Sequence, residues 1–94
     1  MAVRFVWDAR KAVHNQRKHG VSFEEAVSTF RDSLSITIPD PDHSMDEERL
    51  LLLGLSDRGK LLVTAHTERG EEIRLISARS ATRRERRIYE EADG

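Results

Sequence analysis

The sequence predicts an α+β fold in which an antiparallel sheet combines with two N-terminal helices and a C-terminal helix. Three observations predict it. Helical periodicity between cap signals occupies residues 9–31, strand-like segments separated by glycine turns occupy 34–78, and helical character returns at 82–91. The 94 residues suit one domain, so we expect residues 1–94 to form a single unit.

The N-terminal segment predicts a strand followed by a helix. Residues 3–7 alternate Val3, Phe5 and Trp7 with Arg4 and Val6, as in a half-buried strand. The carboxylate that follows at position 8 is a plausible N-cap, so a helix is expected to run from there to about residue 18. The glycine at position 20 suits the left-handed residue that ends a helix.

The second helix has a clear start signal. Ser22 and Glu25 form an S-x-x-E capping box. One apolar helical face follows at Phe23, Ala26, Val27 and Phe30. We expect this helix to end near residues 31–32.

Four strands and a helix are predicted for the rest of the chain. Residues 34–38 alternate as a strand that Pro39 and Pro41 end, and strand-like runs follow at 48–55, 60–67 and 72–78. The turns at 57–59 and 68–70 each end in glycine and suit hairpins, which gives an antiparallel meander. Thr82 and Glu85 form a second capping box, which starts a helix over 82–91.

Composition restricts the function. Sixteen basic and seventeen acidic residues give a net charge of −1, which is unlike a domain that binds nucleic acid by bulk charge alone. The absence of cysteine excludes disulfides, CxxC motifs and cysteine zinc sites, and it fits the cytosol. The longest apolar run, 50–53, is too short for a membrane span. We therefore expect a soluble cytoplasmic protein that does not contact a membrane.

Charge is nevertheless concentrated in two segments. Residues 40–48 carry five carboxylates, and residues 79–87 carry five arginines. Arg83 and Arg84 fall in the first helical turn, where cations oppose the helix dipole but a phosphate would be favoured. Two interpretations stay open: the arginines pair with Glu85, Glu90 and the acidic segment, or they contact phosphate or RNA.

Histidine and tyrosine are the other candidates for chemistry. No two of the four histidines have a metal-binding spacing, so we expect no metal site. His66, at the end of a strand, could transfer protons near neutral pH or could simply fill space. Tyr89 could pack, stack on a base or donate a hydrogen bond.

Two long segments carry a family resemblance. FVWDARKAVHNQRKHGVSFEEA (5–26) is similar to the opening of BrnT-type toxins, F-x-W-D-x-x-K-x-x-x-N-x-x-K-H-G-V-S-F-E-E-A. HTERGEEIRLISARSATRRERRIYEE (66–91) resembles the end of the same family, I-R-x-I-S-A-R-x-A-x-x-x-E-R-x-x-Y. The intervening residues are also similar, so the resemblance covers nearly the whole chain.

The resemblance implies a compact RelE-like fold and a ribonuclease toxin of a type II toxin–antitoxin system that inhibits translation. It also implies a BrnA-like antitoxin with a ribbon-helix-helix part, in a heterotetramer of two toxins and two antitoxins. Operator DNA would be bound only through the antitoxin. Cleavage in this fold class needs no metal or other cofactor, because a ribose 2′-hydroxyl attacks the adjacent phosphate.

The resemblance and the strand positions together suggest site residues. Arg79 and Tyr89 match family motif positions, whereas Arg49 and His66 are inferred mainly from their places on strands. Arg79 and Arg49 are expected to stabilise negative charge, and Tyr89 and His66 to transfer protons or stack on a base. Backbone contacts to the RNA substrate are expected from Lys18, Arg69, Arg74 and Arg83.

Two other functions stay open. A catalytically inactive toxin-like module could act as a co-repressor with its antitoxin. A DNA-binding regulator would need a recognition helix, and the one basic helix expected at the C-terminus has little apolar surface to dock it.

Overall fold

The computed structural model describes residues 2–42 and 48–92, and its class is α+β as predicted. The elements in chain order are β1 Arg4–Val6, α1 Ala9–His19, α2 Phe23–Ser28, a 3-10 turn Thr29–Arg31, β2 Ile36–Pro39, β3 Arg49–Leu55, β4 Leu61–Arg69, β5 Glu72–Ser80 and α3 Arg83–Ala92. His43 and much of the acidic segment lie outside the described residues.

The predicted signals at the ends of α1 are confirmed. Asp8 Oδ1 accepts hydrogen bonds from the amides of Arg10 and Lys11, at 2.7 and 3.4 Å. Gly20 adopts φ 70°, and its amide donates to the carbonyl of Gln16. These contacts satisfy backbone groups that the helix itself cannot pair.

α2 is shorter than the apolar pattern suggested. Ser22 Oγ accepts from the amide of Glu25 at 3.1 Å, as a capping box requires. The Glu25 side chain does not complete the box, because its Oε2 accepts from Ser56 Oγ at 2.7 Å in the β3–β4 turn. Regular helix ends at Ser28 and tightens into the 3-10 turn.

The sheet has the order β1-β5-β4-β3-β2. β2 to β5 form the predicted antiparallel meander, and the hairpin glycines Gly59 and Gly70 have φ of 76° and 59°. β1 adds a feature that the sequence did not show, because it pairs parallel to β5 with Val6 opposite Arg74. The last strand in sequence therefore lies inside the sheet for part of its length.

The two faces of the sheet are covered by different helices. α1 and α2 cover a core that includes Phe23, Leu62, Leu75 and Ala78. On the opposite face, a smaller cluster of Leu53, Leu61 and Val63 packs against α3 through Tyr89 and against several neighbours. We call the first the α1/α2 face and the second the α3 face. Within the described residues, no helix has the length and apolarity to cross a membrane.

Candidate functional site

Two arginines lie in one row across the centre of the sheet. The strand pairing places Arg49 of β3 opposite Thr67 of β4, and Thr67 opposite Arg74 of β5. Arg49 shares the α3 face with Leu53 because side chains alternate along a strand. With strands about 4.8 Å apart, the two arginine Cα atoms lie about 10 Å from each other.

A bulge in β5 keeps Arg74 and Arg79 on the same face. Leu75 and Ala78 are three positions apart, yet both belong to the α1/α2 core. The bulge is visible in the strand pairing: Ala65 of β4 pairs with Ser77 and His66 pairs with Leu75, so Ile76 of β5 has no partner. The residues that flank Leu75 and Ala78 on the outside, Arg74 and Arg79, therefore both face α3.

Arg79 is held by Glu85 of α3. Its Nη1 and Nη2 donate to the two carboxylate oxygens at 2.8 and 2.9 Å, a bidentate pair. The hydrogen bond from Arg79 is the main reason that the pKa of Glu85 falls to about 2, and the same bond raises the pKa of Arg79. Glu85 also accepts from the amide of Thr82 and completes the second capping box.

Tyr89 is held by Asp32, just after the 3-10 turn. The Tyr89 hydroxyl donates to Asp32 Oδ2 at 2.5 Å. The same carboxylate accepts from the amides of Leu55 and Leu34, at 2.8 and 3.0 Å. Burial would raise the pKa of Asp32, but these hydrogen bonds, with Tyr89 first, outweigh burial and lower it. Two of the predicted catalytic residues therefore also fasten α3 to the sheet.

His66 lies on the other side of the sheet and is fully buried. Its ring meets the edge of Phe30 at a centroid distance of 4.9 Å. Nδ1 lies 3.2 Å from the carbonyl of Thr64, and Nε2 lies 3.0 Å from Glu68 Oε2. The carbonyl and the carboxylate both only accept, so a neutral ring can donate to one of them at a time. This burial favours a structural role over the proton transfer expected from the sequence.

The predicted RNA-binding residues are exposed but dispersed. Lys18 lies in the last turn of α1, Arg69 at the end of β4 and Arg83 at the start of α3. Arg74 forms no side-chain hydrogen bond or ion pair with another described residue, so its charge is available to an anion. Of the eight predicted site residues, the fold aligns Arg49 with Arg74 across the sheet and engages Arg79 and Tyr89 in the docking of α3.

Sequence reasoning missed Asn15 and the cations of α1 other than Lys18. Asn15 is buried and bonds β5 through its side chain. The signal for the cations was present, because α1 carries Arg10, Lys11, Arg17 and Lys18 without a single carboxylate. Across residues 2–42 and 48–92, no group of three His, Asp or Glu side chains could hold a metal ion.

The chain is a small α+β domain with Arg49 and Arg74 on one sheet face, and guanidinium groups have the charge and geometry to bind phosphate. The family model for the ribonuclease toxin BrnT of type II toxin–antitoxin systems matches residues 7–85, and the chain belongs to this family. The predicted family resemblance is thereby confirmed.

A solved structure has the same fold. The crystal structure of the Brucella abortus ribonuclease toxin BrnT matches with a TM-score of 0.64 at 23% identity, over 87% of this chain and 100% of that one. No curated protein gives a significant match.

Proposed function

We propose that this protein is a metal-independent endoribonuclease that inhibits translation by cleaving RNA on the α3 face. We further propose that a BrnA-like ribbon-helix-helix antitoxin neutralises it in a 2:2 complex and provides the only contact with operator DNA. Membership of a family of ribonuclease toxins supports the activity. The observation that carries the proposed site is the row formed by Arg49, Thr67 and Arg74 on three neighbouring strands.

The row suits charge stabilisation during cleavage. A ribose 2′-oxygen bonds to the adjacent phosphorus and loses its proton, while the bond to the 5′-oxygen breaks and that oxygen gains a proton. The products are a cyclic 2′,3′-phosphate and a free 5′-hydroxyl. Negative charge grows on the non-bridging phosphate oxygens, and preorganised guanidinium groups stabilise it. Arg49 and Arg74, about 10 Å apart at Cα, can approach one phosphate group from two sides.

Arg79 and Tyr89 contribute to cleavage only if α3 moves. Their side chains are engaged by Glu85 and Asp32, so α3 has to shift before either meets the substrate fully. Tyr89 is the preferred proton-transfer residue, because it lies on the α3 face and its hydroxyl is already bonded to a carboxylate. Arg69 and Arg83, both exposed, extend the cationic surface at the two ends.

The test combines growth with purified-protein cleavage. Inducible expression should arrest bacterial growth, and co-expression of the neighbouring antitoxin gene should restore it. Arg49→Ala and Arg74→Ala should each abolish arrest and reduce RNA cleavage at least about 100-fold, the size of an effect from losing one such donor. Cleavage should persist in EDTA. Arg58→Ala, an exposed arginine in the β3–β4 turn, is the matched control.

Arg79 needs a separate comparison, because its removal also leaves Glu85 unpaired. The double variant Arg79→Ala/Glu85→Ala removes both partners and is compared with Glu85→Ala alone. If the double variant is inactive and Glu85→Ala is active, Arg79 has a role in cleavage. Equal activity of the two variants would limit Arg79 to docking α3.

One observation favours the alternative of an inactive co-repressor. Arg79 and Tyr89 are bonded to carboxylates and His66 is buried, so none of these three predicted catalytic side chains is available to a substrate as the protein stands. Soluble, folded protein that neither arrests growth nor cleaves RNA, but strengthens operator binding by its antitoxin, would establish this function instead.

A further inference from the structure

α1 is a cationic helix whose charges are not explained by the fold. Arg10, Lys11, Arg17 and Lys18 are all exposed, two histidines accompany them, and no carboxylate lies on the helix. Within the described residues, none of the four forms an ion pair. The described part of the chain therefore supplies no carboxylate to neutralise these four charges.

The helix dipole accounts for only half of these charges. Arg17 and Lys18 lie in the last turn, where the dipole favours cations. Arg10 and Lys11 lie in the first turn, where it opposes them, and Asp8 offsets this only in part by capping their amides. A ligand outside the helix is therefore the better explanation for Arg10 and Lys11.

A groove of about 340 Å³ runs between α1 and β5. It exists because β1 ends at Val6, opposite Arg74, and leaves the rest of β5 without a strand neighbour on that side. Its walls are Lys11, His14 and Lys18 from α1, with further α1 side chains, and Ile76 and Ser77 from the bulge of β5. At a rise of 1.5 Å per residue, Lys11 and Lys18 lie about 10 Å apart along the helix.

The groove adjoins the strand that carries Arg74. Ile76 and Ser77, which line the groove, follow Arg74 by two and three positions on β5. An RNA strand that crosses the edge of β5 from α1 would therefore meet Arg74 within three residues of the groove.

We propose that the groove between α1 and β5 binds the backbone of the RNA substrate and guides it toward Arg74; this inference rests on the proposed ribonuclease function. Among the described residues that line the groove, Ile76 is the only apolar side chain. A protein segment gains affinity mainly from buried apolar and aromatic anchors, whereas an RNA backbone needs only spaced cations. The unpaired cations Lys11 and Lys18 favour a polyanion, and the proposed ribonuclease function makes RNA the polyanion to test against an acidic peptide.

The test measures binding separately from cleavage. The probe is a fluorescent 12-mer of single-stranded 2′-O-methyl RNA, which lacks the attacking hydroxyl. Lys11→Gln/Lys18→Gln should raise its Kd about tenfold and reduce the slope of log K against log salt concentration by about 1.4, the value for two phosphate contacts. The matched control is Arg58→Gln/Lys60→Gln, which removes two exposed charges from the β3–β4 turn and should change neither quantity.

Each outcome decides the proposal. Unchanged Kd and slope in a folded Lys11→Gln/Lys18→Gln protein would overturn the groove assignment. If the wild type cleaves RNA and the Arg49→Ala variant does not, the proposed ribonuclease function stands even when the groove assignment fails. If the Lys11→Gln/Lys18→Gln variant loses binding to polyglutamate but keeps its RNA binding, the groove assignment is also overturned, in favour of an acidic protein partner. Equal losses of RNA affinity in the Arg58→Gln/Lys60→Gln control would overturn the assignment as well, because they would show that RNA binding depends on the net charge of the protein and not on the groove.

Discussion

Asn15 of α1 pairs with the backbone of Ala78 in β5 as a strand would. Its Nδ2 donates to the Ala78 carbonyl at 2.8 Å, and its Oδ1 accepts from the Ala78 amide at 2.9 Å. Nδ2 donates again to the carbonyl of Val21 at 3.0 Å. β1 does not reach this part of β5, so one side chain satisfies the buried backbone that a longer strand would otherwise pair.

Replacing Asn15 should therefore destabilise the fold markedly. Asn15→Ala leaves the amide and carbonyl of Ala78 without partners in a buried place, and we expect a loss of about 3 kcal/mol in the free energy of unfolding. Urea denaturation followed by circular dichroism measures it. Gln16→Ala, an exposed neighbour on the same helix, should cost less than about 0.5 kcal/mol. Equal losses in the two variants would disprove the pairing.

The Arg79–Glu85 pair should make stability depend on acid. The pKa of Glu85 is lowered from 4.5 to about 2, so the folded state favours the ionised carboxylate. The stabilisation is complete above pH 4.5 and disappears as the pH falls from 4.5 to about 2. After allowance for solvent screening at the partly exposed arginine, it is on the order of 1 kcal/mol.

Glu85→Gln tests this dependence, because the amide can still accept the hydrogen bond from Thr82. Thermal unfolding at pH 7, 4 and 3 should show a smaller decrease for the variant than for the wild type. Glu90→Gln, which is exposed on the same helix, is the control. Parallel curves for Glu85→Gln and wild type would show that the ion pair does not stabilise the fold.

Tyr89→Phe should loosen α3 while preserving its apolar packing. The variant loses the hydrogen bond to Asp32, which we expect to cost about 1–2 kcal/mol, because the acceptor is charged. Limited proteolysis of the C-terminal helix measures the loosening. Measuring RNA cleavage distinguishes a docking role of Tyr89 from a role in proton transfer. If Tyr89 only docks α3, Asp32→Asn should reduce cleavage as much as Tyr89→Phe does. Loss of cleavage in Tyr89→Phe alone would establish proton transfer.

The His66–Glu68 pair offers a test of the buried histidine. Glu68→Ala removes the exposed partner of Nε2 and should lower stability by about 1 kcal/mol, with cleavage unchanged if His66 is structural. Glu71→Ala, in the adjacent β4–β5 turn, is the matched control and should change neither quantity. A hundredfold loss of cleavage at unchanged stability would instead place the pair in the proton-transfer path.

Helix ends and hairpins were predictable because their determinants are local. Asp8, Gly20 and the Thr82–Glu85 box act on backbone groups within a few residues, and each does so as expected. The Ser22–Glu25 box formed only in part, since Ser56 captured the Glu25 carboxylate. That capture depends on a contact 31 positions away, which no local pattern contains.

Pairings between distant segments were not predictable from the sequence. A strand as short as Arg4–Val6 holds no information on its partner or its direction, so its parallel alignment with β5 depends on packing of the whole domain. The same holds for the site. The arginines were recognised by type and position, but the sequence left open whether Arg79 meets a phosphate or Glu85, and it gave no sign of the bulge at Ile76.

The parallel alignment of β1 with β5 has a consequence for the cell that makes this protein. The first strand finds its partner at residues 72–74, and Asn15 finds its own at residue 78, so most of the chain has to leave the ribosome before either contact forms. Contacts this distant in sequence form late in folding. The pairing of β1 with β5 and the contact of α1 with β5 are therefore among the last parts of the fold to assemble during synthesis.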